Sequence, residues 1–470
     1  MSRSLIRHAT YYLNYSQINP NDWAWFDEEW PQIRQAWEWL SQKSANMSLT
    51  KDYTKAFTPF QAQRGLWAEL INWATQSIAQ SQNDLEHQGF VLPRLGDAYY
   101  ELGKLSQAKE CYEKCLMLSR QTSNPQLESQ ALGNLGRIHL RLSENETAID
   151  FFQQQLTIAS HIDDQEITAK ALNNLGIAYF ELGQFEITIS FYQQSLVAVR
   201  LTQNRSLETK LLSNLGNSYV NLGDMEKGSL YYEQALVNAQ KTGALSLEGT
   251  ILGNLGILVK NLGRFQQAIE YQEQALTIHR LTKNLYNQAL ALGNLGNCYL
   301  DSGRSQQAIG FYEQSIAIYR LLGYRHGEGR DLGNMAEAYS QVEQFELAIE
   351  LVEAALIIHH EVGNVASEGF CLHTLATICR KQGNLEMAVD SYQQAMTKME
   401  QAKNRRMVAV ISWDLGELYW QMGRCEEGLG LMSGRVAYEQ TINHSEANSH
   451  ATYLEALRRI FIQSSYPSNG

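Results

Sequence analysis

The chain has 470 residues, 44% of them hydrophobic, with only 6 prolines and a formal net charge of −12. That apolar content excludes a disordered chain and suffices for a continuous packed interior. The acidic balance repels phosphate backbones and argues against nucleic acid as a partner, because Arg405-Arg406 and Arg458-Arg459 are only pairs.

The N-terminus, MSRSLIRHATYYLNYSQ, lacks the apolar core and cleavage site of a secretory signal. No stretch approaches the ~18 consecutive apolar residues of a membrane span. A cytoplasmic protein with no membrane contact is expected. Residues 1–85 hold seven of the nine tryptophans: Trp23, Trp25, Trp30, Trp37, Trp39, Trp67 and Trp73. The stretch DWAWFDEEWPQIRQAWEWLSQ predicts a helix capped by Asp22, and residues 49–84 read as a degenerate helix pair. This region is either a cap over the apolar face of the helices after residue 85 or a docking module of exposed aromatics.

From residue 86 to 440 the chain repeats every 40 residues, in nine copies beginning near 87, 127, 167, 207, 247, 287, 327, 367 and 407. In the copy at 287–322, Leu292, Leu295, Gly296 and Tyr299 stand at helical spacing, Gly303 interrupts, and Ala308, Ile309, Tyr312 and Ile316 resume it. Each copy is therefore two amphipathic helices joined by a tight turn. Leu135, Leu175, Leu215, Leu255 and Leu295 form one column, with glycine after each. Glycine inside a helix costs about 1 kcal/mol against alanine, so its recurrence points to close helix–helix approach. Turn glycines at 103, 183, 223, 263, 303, 383 and 423 supply a left-handed cap, and Ser143 and Glu343 should make less ideal turns. The last copy, with Gly428, Met432 and Arg435 in core columns, is expected to be looser. Residues 441–470 read as a capping helix, 445–463, and a frayed tail.

The order Leu-Gly, aromatic, turn Gly, Ala, aromatic resembles the tetratricopeptide repeat, whose usual period is about 34. The six extra residues lie between copies and suggest longer helices. The resemblance implies an all-α fold: a right-handed α-α superhelical solenoid with an N-terminal helical cap. It also implies that the first helix of each pair lines a concave groove. The segment 27–39 is similar to the helical leader that precedes repeats in some signal-transduction ATPases, but no G-x-x-x-x-G-K-[ST] loop is present.

Six asparagines keep the 40-residue register: Asn134, Asn174, Asn214, Asn254, Asn294 and Asn334. The column looks like the asparagine ladder of kinesin light chains and of the Leu-Gly-Asn repeat proteins that orient spindles. That resemblance implies amides gripping the main chain of an extended peptide. An amide both donates and accepts, which suits that task; equally, it could bond neighbouring helices. About one turn along the same face stand Asn217 and Asn297, then Asn221 and Asn261; one turn before stand Lys170, Lys210 and Arg330, which suit a ligand carboxylate. Gly133, Gly253, Gly293 and Gly333 clear the approach beside the amides.

No set of residues reads as catalytic. His359 and His360 point about 100° apart on a helix. Cys111 and Cys115 share a turn but have no second zinc-type pair, and the remaining cysteines are scattered. No metal and no cofactor is expected. The expected function is a non-enzymatic scaffold holding an extended segment of a partner protein. The alternatives are a peptide-signal receptor, since some bacterial regulators share this layout, or the sensor arm of a signalling ATPase.

Overall fold

The computed structural model describes residues 2–19, 22–41, 47–81, 83–441 and 446–465, which form 23 helices and no strand. They fall into two compact units, Met1–Asn238 and Ala239–Gly470. The first holds α1 (Ser2–Ile18), α2 (Trp23–Ser41), α3 (Met47–Gln63), α4 (Trp67–Gln80), α5 (Leu85–Glu101), α6 (Leu105–Gln121), α7 (Pro125–Arg141), α8 (Asn145–His161), α9 (Gln165–Glu181), α10 (Phe185–Thr202), α11 (Arg205–Asn221) and most of α12 (Met225–Thr242). The second holds the end of α12, then α13 (Leu245–Asn261), α14 (Phe265–Leu281), α15 (Leu285–Asp301), α16 (Ser305–Leu322), α17 (Arg325–Gln341), α18 (Phe345–Glu361), α19 (Val365–Gln382), α20 (Leu385–Gln401), α21 (Arg405–Gln421), α22 (Cys425–Thr441) and α23 (Ala447–Ser465).

Within each unit, first and second helices of a copy pack as antiparallel pairs, α5 with α6 through α9 with α10, and α13 with α14 through α21 with α22. Most of these helices run 17 residues, so the residues beyond the usual period lengthen the helices and not the turns. The turns repeat at half the sequence period. A left-handed residue stands every 20 positions from 103 to 423, closing both the turn inside each copy and the turn between copies. Ser143 and Glu343 take the same left-handed backbone, φ 60° and 62°, as the glycines in that column. The path of the turn is kept at both positions, with a non-glycine residue held in a left-handed conformation that costs it energy.

The second turn has its own capping chemistry. Asn124, Asn204, Asn284, Asn364 and Asn404 each accept a hydrogen bond from the backbone N–H three residues on, at 3.0–3.1 Å. Asp84 and Asp164 do the same. These side chains satisfy orphan N–H groups at the start of first helices, each contributing about 1 kcal/mol. Across the same turn Arg120, Arg200 and Arg320 bond Glu128, Glu208 and Glu328, eight residues on.

Glycines of the first helix are bare because an aromatic ring of the second helix sits on them. A Cβ on Gly96, Gly136, Gly176 or Gly296 would stand 2.4–2.5 Å from a ring carbon of Tyr112, Phe152, Tyr192 or Tyr312. These rings are nearly fully buried, as are Ala108, Ala148, Ala308 and Ala388 beside them. In the last copy Met432 replaces the ring, and a Cβ on Gly428 would meet the Gly416 carbonyl oxygen at 2.6 Å. Two facing glycines there bring α21 and α22 together backbone to backbone.

At the N-terminus Trp37 stacks on Trp73 at 4.5 Å and Trp30 on Trp73 at 5.5 Å, inside a core with Ile33, Tyr53 and Phe57. Trp25, Trp39 and Trp67 are partly buried, and the side chain of Trp23 lies outside the described residues. Helix α4 buries Leu70 and Ala74 against Val91, Leu95 and Ala98 of α5. Among the described residues these indoles pack inward, and none of them is exposed. Helix α23 packs Leu454 and Leu457 onto Trp413, Met432 and Val436. The tail at 466–470 lies outside the described residues.

Two substitutions should shift stability in opposite directions. Gly176→Ala must displace the Tyr192 ring and should lower stability by about 1–2 kcal/mol despite alanine's better helix propensity. Ser143→Gly relieves a left-handed serine and should raise it by about 1 kcal/mol. Urea denaturation monitored by circular dichroism measures both; equal effects on the midpoint would contradict this account.

Candidate functional site

The six-asparagine column lies at one position of successive first helices: Asn134 on α7, Asn174 on α9 and Asn214 on α11 in the first unit, and Asn254 on α13, Asn294 on α15 and Asn334 on α17 in the second. Asn134 is buried and the other five are half-buried. In the first unit a cavity of about 460 Å³ lies between α7 and α9, with Asn134, Arg137, Lys170 and Asn174 among its walls. Sequence-predicted amides and a predicted cation therefore meet around one opening.

The amides also bond one another's neighbours. Asn134 Oδ1 accepts from Arg137 at 3.3 Å, Asn174 Nδ2 donates to Gln155 at 3.3 Å, and Asn214 Nδ2 donates to Asn173 at 3.3 Å. In the second unit Asn334 Nδ2 donates to Asn297 Oδ1 at 3.1 Å, and Asn294 makes no side-chain hydrogen bond among the described residues. An amide can make four hydrogen bonds. For Asn134, Asn174, Asn214 and Asn334 one such bond fixes the side chain.

Asn217 and Asn297 have a more specific role than the sequence suggested. Tyr232 donates its hydroxyl to Asn217 Oδ1, and Tyr312 donates to Asn297 Oδ1 at 2.7 Å. Burial, and behind it Asp331, pushes the Tyr312 phenol far above its ordinary value, so it stays a donor. The donor settles which amide atom is the oxygen: in both residues Oδ1 is the acceptor turned to the tyrosine hydroxyl. Tyr112 donates to Asp97 in the same way, and the Tyr392 hydroxyl lies 3.2 Å from Thr377 Oγ1. The signal was present as a 15-residue offset between a tyrosine and a polar residue, against Ile257 opposite Gln272.

The remaining candidates divide. Asn221 is exposed and its Nδ2 donates to the Asn217 carbonyl at 2.8 Å; Asn261 is exposed. Lys170 pairs with Glu166 on its own helix at 2.6 Å, and Lys210 is exposed. Arg330 Nε lies 2.8 Å from Asp331. Desolvation works against its charge, but Asp331 more than offsets that and holds its pKa above the ordinary value.

Among the described residues no three histidine, cysteine or acidic side chains come together as metal ligands. Burial raises the Cys111 thiol to about 11 and Cys115 to about 12, so neither is a ready thiolate. His359 is buried and His360 points to solvent. No described helix is long and apolar enough to cross a membrane.

The sequence matches the tetratricopeptide repeat model over residues 127–198, 207–280, 247–321, 287–359, 329–401 and 370–429, and a second tetratricopeptide repeat model over 94–122. No curated protein sequence matches the chain. Among solved structures it is similar to a signal transduction ATPase with numerous domains and a tetratricopeptide repeat sensor from Pyrococcus horikoshii, at 15% identity, TM-score 0.55, covering 82% of this chain and 56% of that one. It is similar to the apo quorum sensor NprR from B. thuringiensis, at 16% identity, TM-score 0.52, covering 72% and 99%. It is also similar to the Rap conjugation gene regulator of plasmid pLS20 in complex with a Phr peptide, at 17% identity, TM-score 0.50, covering 75% and 96%. At such identities these likenesses show the fold. The family match spans well over half of the residues, and it agrees with the stacked helix pairs, their bare glycines and their seated aromatics: the chain belongs to the tetratricopeptide repeat family.

Proposed function

We propose that this chain is a non-enzymatic, cytoplasmic interaction module that binds an extended peptide segment of a partner protein along the amide-bearing face of its first helices. The observation that supports this best is the orientation of the amides. Tyr232 and Tyr312 donate to the Oδ1 atoms of Asn217 and Asn297, which fixes both amides in place next to the asparagine column. Gly253 and Gly333 are partly exposed and bare the backbone beside Asn254 and Asn334, whereas the space at Gly133 and Gly293 is taken by Gln155 and by Asp331 with Arg330. An extended segment carries unsatisfied main-chain N–H and C=O groups, and half-satisfied amides can complete both. Charge complementarity tunes the choice: exposed cations Lys170 and Lys210 stand beside the amides, while the acidic surface disfavours nucleic acid.

A second reading is a receptor for a short signal peptide. It draws on the likeness to the plasmid regulator bound to a Phr peptide and to the NprR quorum sensor. The likeness to the sensor-bearing ATPase from Pyrococcus horikoshii similarly suggests a sensor arm working beside a nucleotide-hydrolysing domain. A scaffold holds a partner without changing shape; a receptor changes compactness on binding.

The decisive variant carries Asn214→Ala with Asn254→Ala. Each lost amide should cost about 1 kcal/mol of binding, so the pair should weaken capture of the partner from host extract by about thirtyfold. Helicity and melting temperature should stay near wild type. A collapse in melting would make the amides structural, and unchanged capture would remove them from the binding face. Small-angle scattering of the captured complex then separates the readings: a contracted radius of gyration supports the receptor, an unchanged one the scaffold.

A further inference from the structure

Position 331 breaks a column that is apolar elsewhere. Its counterparts at 40-residue spacing include Ala171, Leu211, Ile251, Ala291, Cys371 and Ile411, all buried. Asp331 is buried as completely as they are, with 0% of its surface exposed. A buried carboxylate is costly unless it is paired and hydrogen-bonded. Arg330 Nε lies 2.8 Å from its Oδ1, and Ser315 Oγ lies 2.5 Å from its Oδ2. Ser315 Oγ is also 2.8 Å from the Ala289 carbonyl oxygen, and its single proton serves one of the two. Room for the group comes from Gly293, where a Cβ would stand 2.8 Å from Asp331 Oδ2 and 3.2 Å from Arg330 Nη2.

The other copies pack this position with apolar side chains, so stacking of the helices does not require an ion pair. A buried pair stabilises a fold no better than well-packed apolar residues do. What the arrangement achieves is to hold one guanidinium. Arg330 keeps 37% of its side chain exposed, with its Nε edge on Asp331 and Nη2 donating to the Tyr319 hydroxyl at 3.3 Å. Arg330 Nη1 makes no hydrogen bond among the described residues. The planar fork is thereby preset, with one edge committed and one available. Arg330 stands one turn before Asn334, and Gly293, which makes the room, directly precedes Asn294.

We infer that Arg330 reads a glutamate or aspartate side chain of the bound segment, and that Asp331 is the positioning residue that sets its guanidinium. This rests on the peptide-binding reading above: the segment's main chain is taken by Asn294 and Asn334, and its carboxylate by the open edge of Arg330.

The test pans a phage-displayed random peptide library on the full chain, beside Arg330→Gln and Asp331→Asn. Fusion through the peptide C-terminus leaves only side-chain carboxylates to be read. Wild type should enrich an acidic residue at one position. Changing that residue to its amide in the strongest binder should weaken binding to wild type about tenfold, and should matter little to Arg330→Gln. Asp331→Asn keeps the shape and should bind the amide peptide as wild type does, while losing most of the preference for the acid. A purely structural Asp331 would weaken both peptides alike, and a melting curve checks that the variant is folded. Binders without an acidic preference, or a preference that survives in Arg330→Gln, overturn the inference and leave the peptide reading standing. A library that yields no enriched peptide overturns both.

Discussion

In most copies of the first unit, and again at Gly296, the helix pair is held by a ring lying on a bare backbone. Tyr112 on Gly96, Phe152 on Gly136, Tyr192 on Gly176 and Tyr312 on Gly296 are one contact repeated, and it fixes how closely and in what register the second helix meets the first. A glycine in mid-helix is unfavourable alone. It is retained because burying an aromatic ring outweighs that local loss. Where the partner changes, the site changes with it. Val352 faces Ala336, while Gln272 keeps Gly256 and sends its Nε2 to the Gly253 carbonyl at 2.7 Å.

The same contact reaches the face that carries the asparagines. A tyrosine seated on glycine brings its hydroxyl to the residue that follows that glycine, meeting Asp97, Asn217 or Asn297, and Tyr392, opposite Ala376, meets Thr377 in the same register. A phenylalanine would pack equally well and leave that residue unoriented. The second-helix aromatic therefore does two jobs, one apolar and one polar. Packing between helices and the direction of the surface amides are parts of one arrangement.

Much of this was legible in the sequence, and the rest was hidden for identifiable reasons. The 40-residue period, the helix pairs, the glycine column and the buried aromatic column are dictated by apolar spacing, which burial enforces strongly. The turns were only half legible. Glycine marks ten of them, but Ser123, Asp163, Gln203, Lys283 and Lys403 adopt the same left-handed backbone with side chains that give no sign of it. Asn124 and its equivalents resemble ordinary loop residues until the N–H groups they cap are in view. Asp331 could have been noticed as a charge in an apolar column, but its neighbour Arg330 was read alone. The partners of Asn174 and Asn214 lie 19 and 41 residues away, beyond what helical spacing can show.

The amides pose a tension that bears on what the face can bind. Asn174, Asn214 and Asn334 already bond Gln155, Asn173 and Asn297, so they contribute to the seams between neighbouring helices. A fully satisfied network would be inert, and a wholly unsatisfied one would be costly where it is half-buried. The observed state lies between. One bond holds each side chain in place, which lowers the entropy lost on binding, and the unused donors and acceptors remain for a ligand. Such a face suits a main chain better than any single side chain, because only a main chain offers alternating N–H and C=O groups over a long span. Specificity must then come from the few positions that differ between copies, and the most heavily supported of these is the guanidinium of Arg330 on its buried carboxylate.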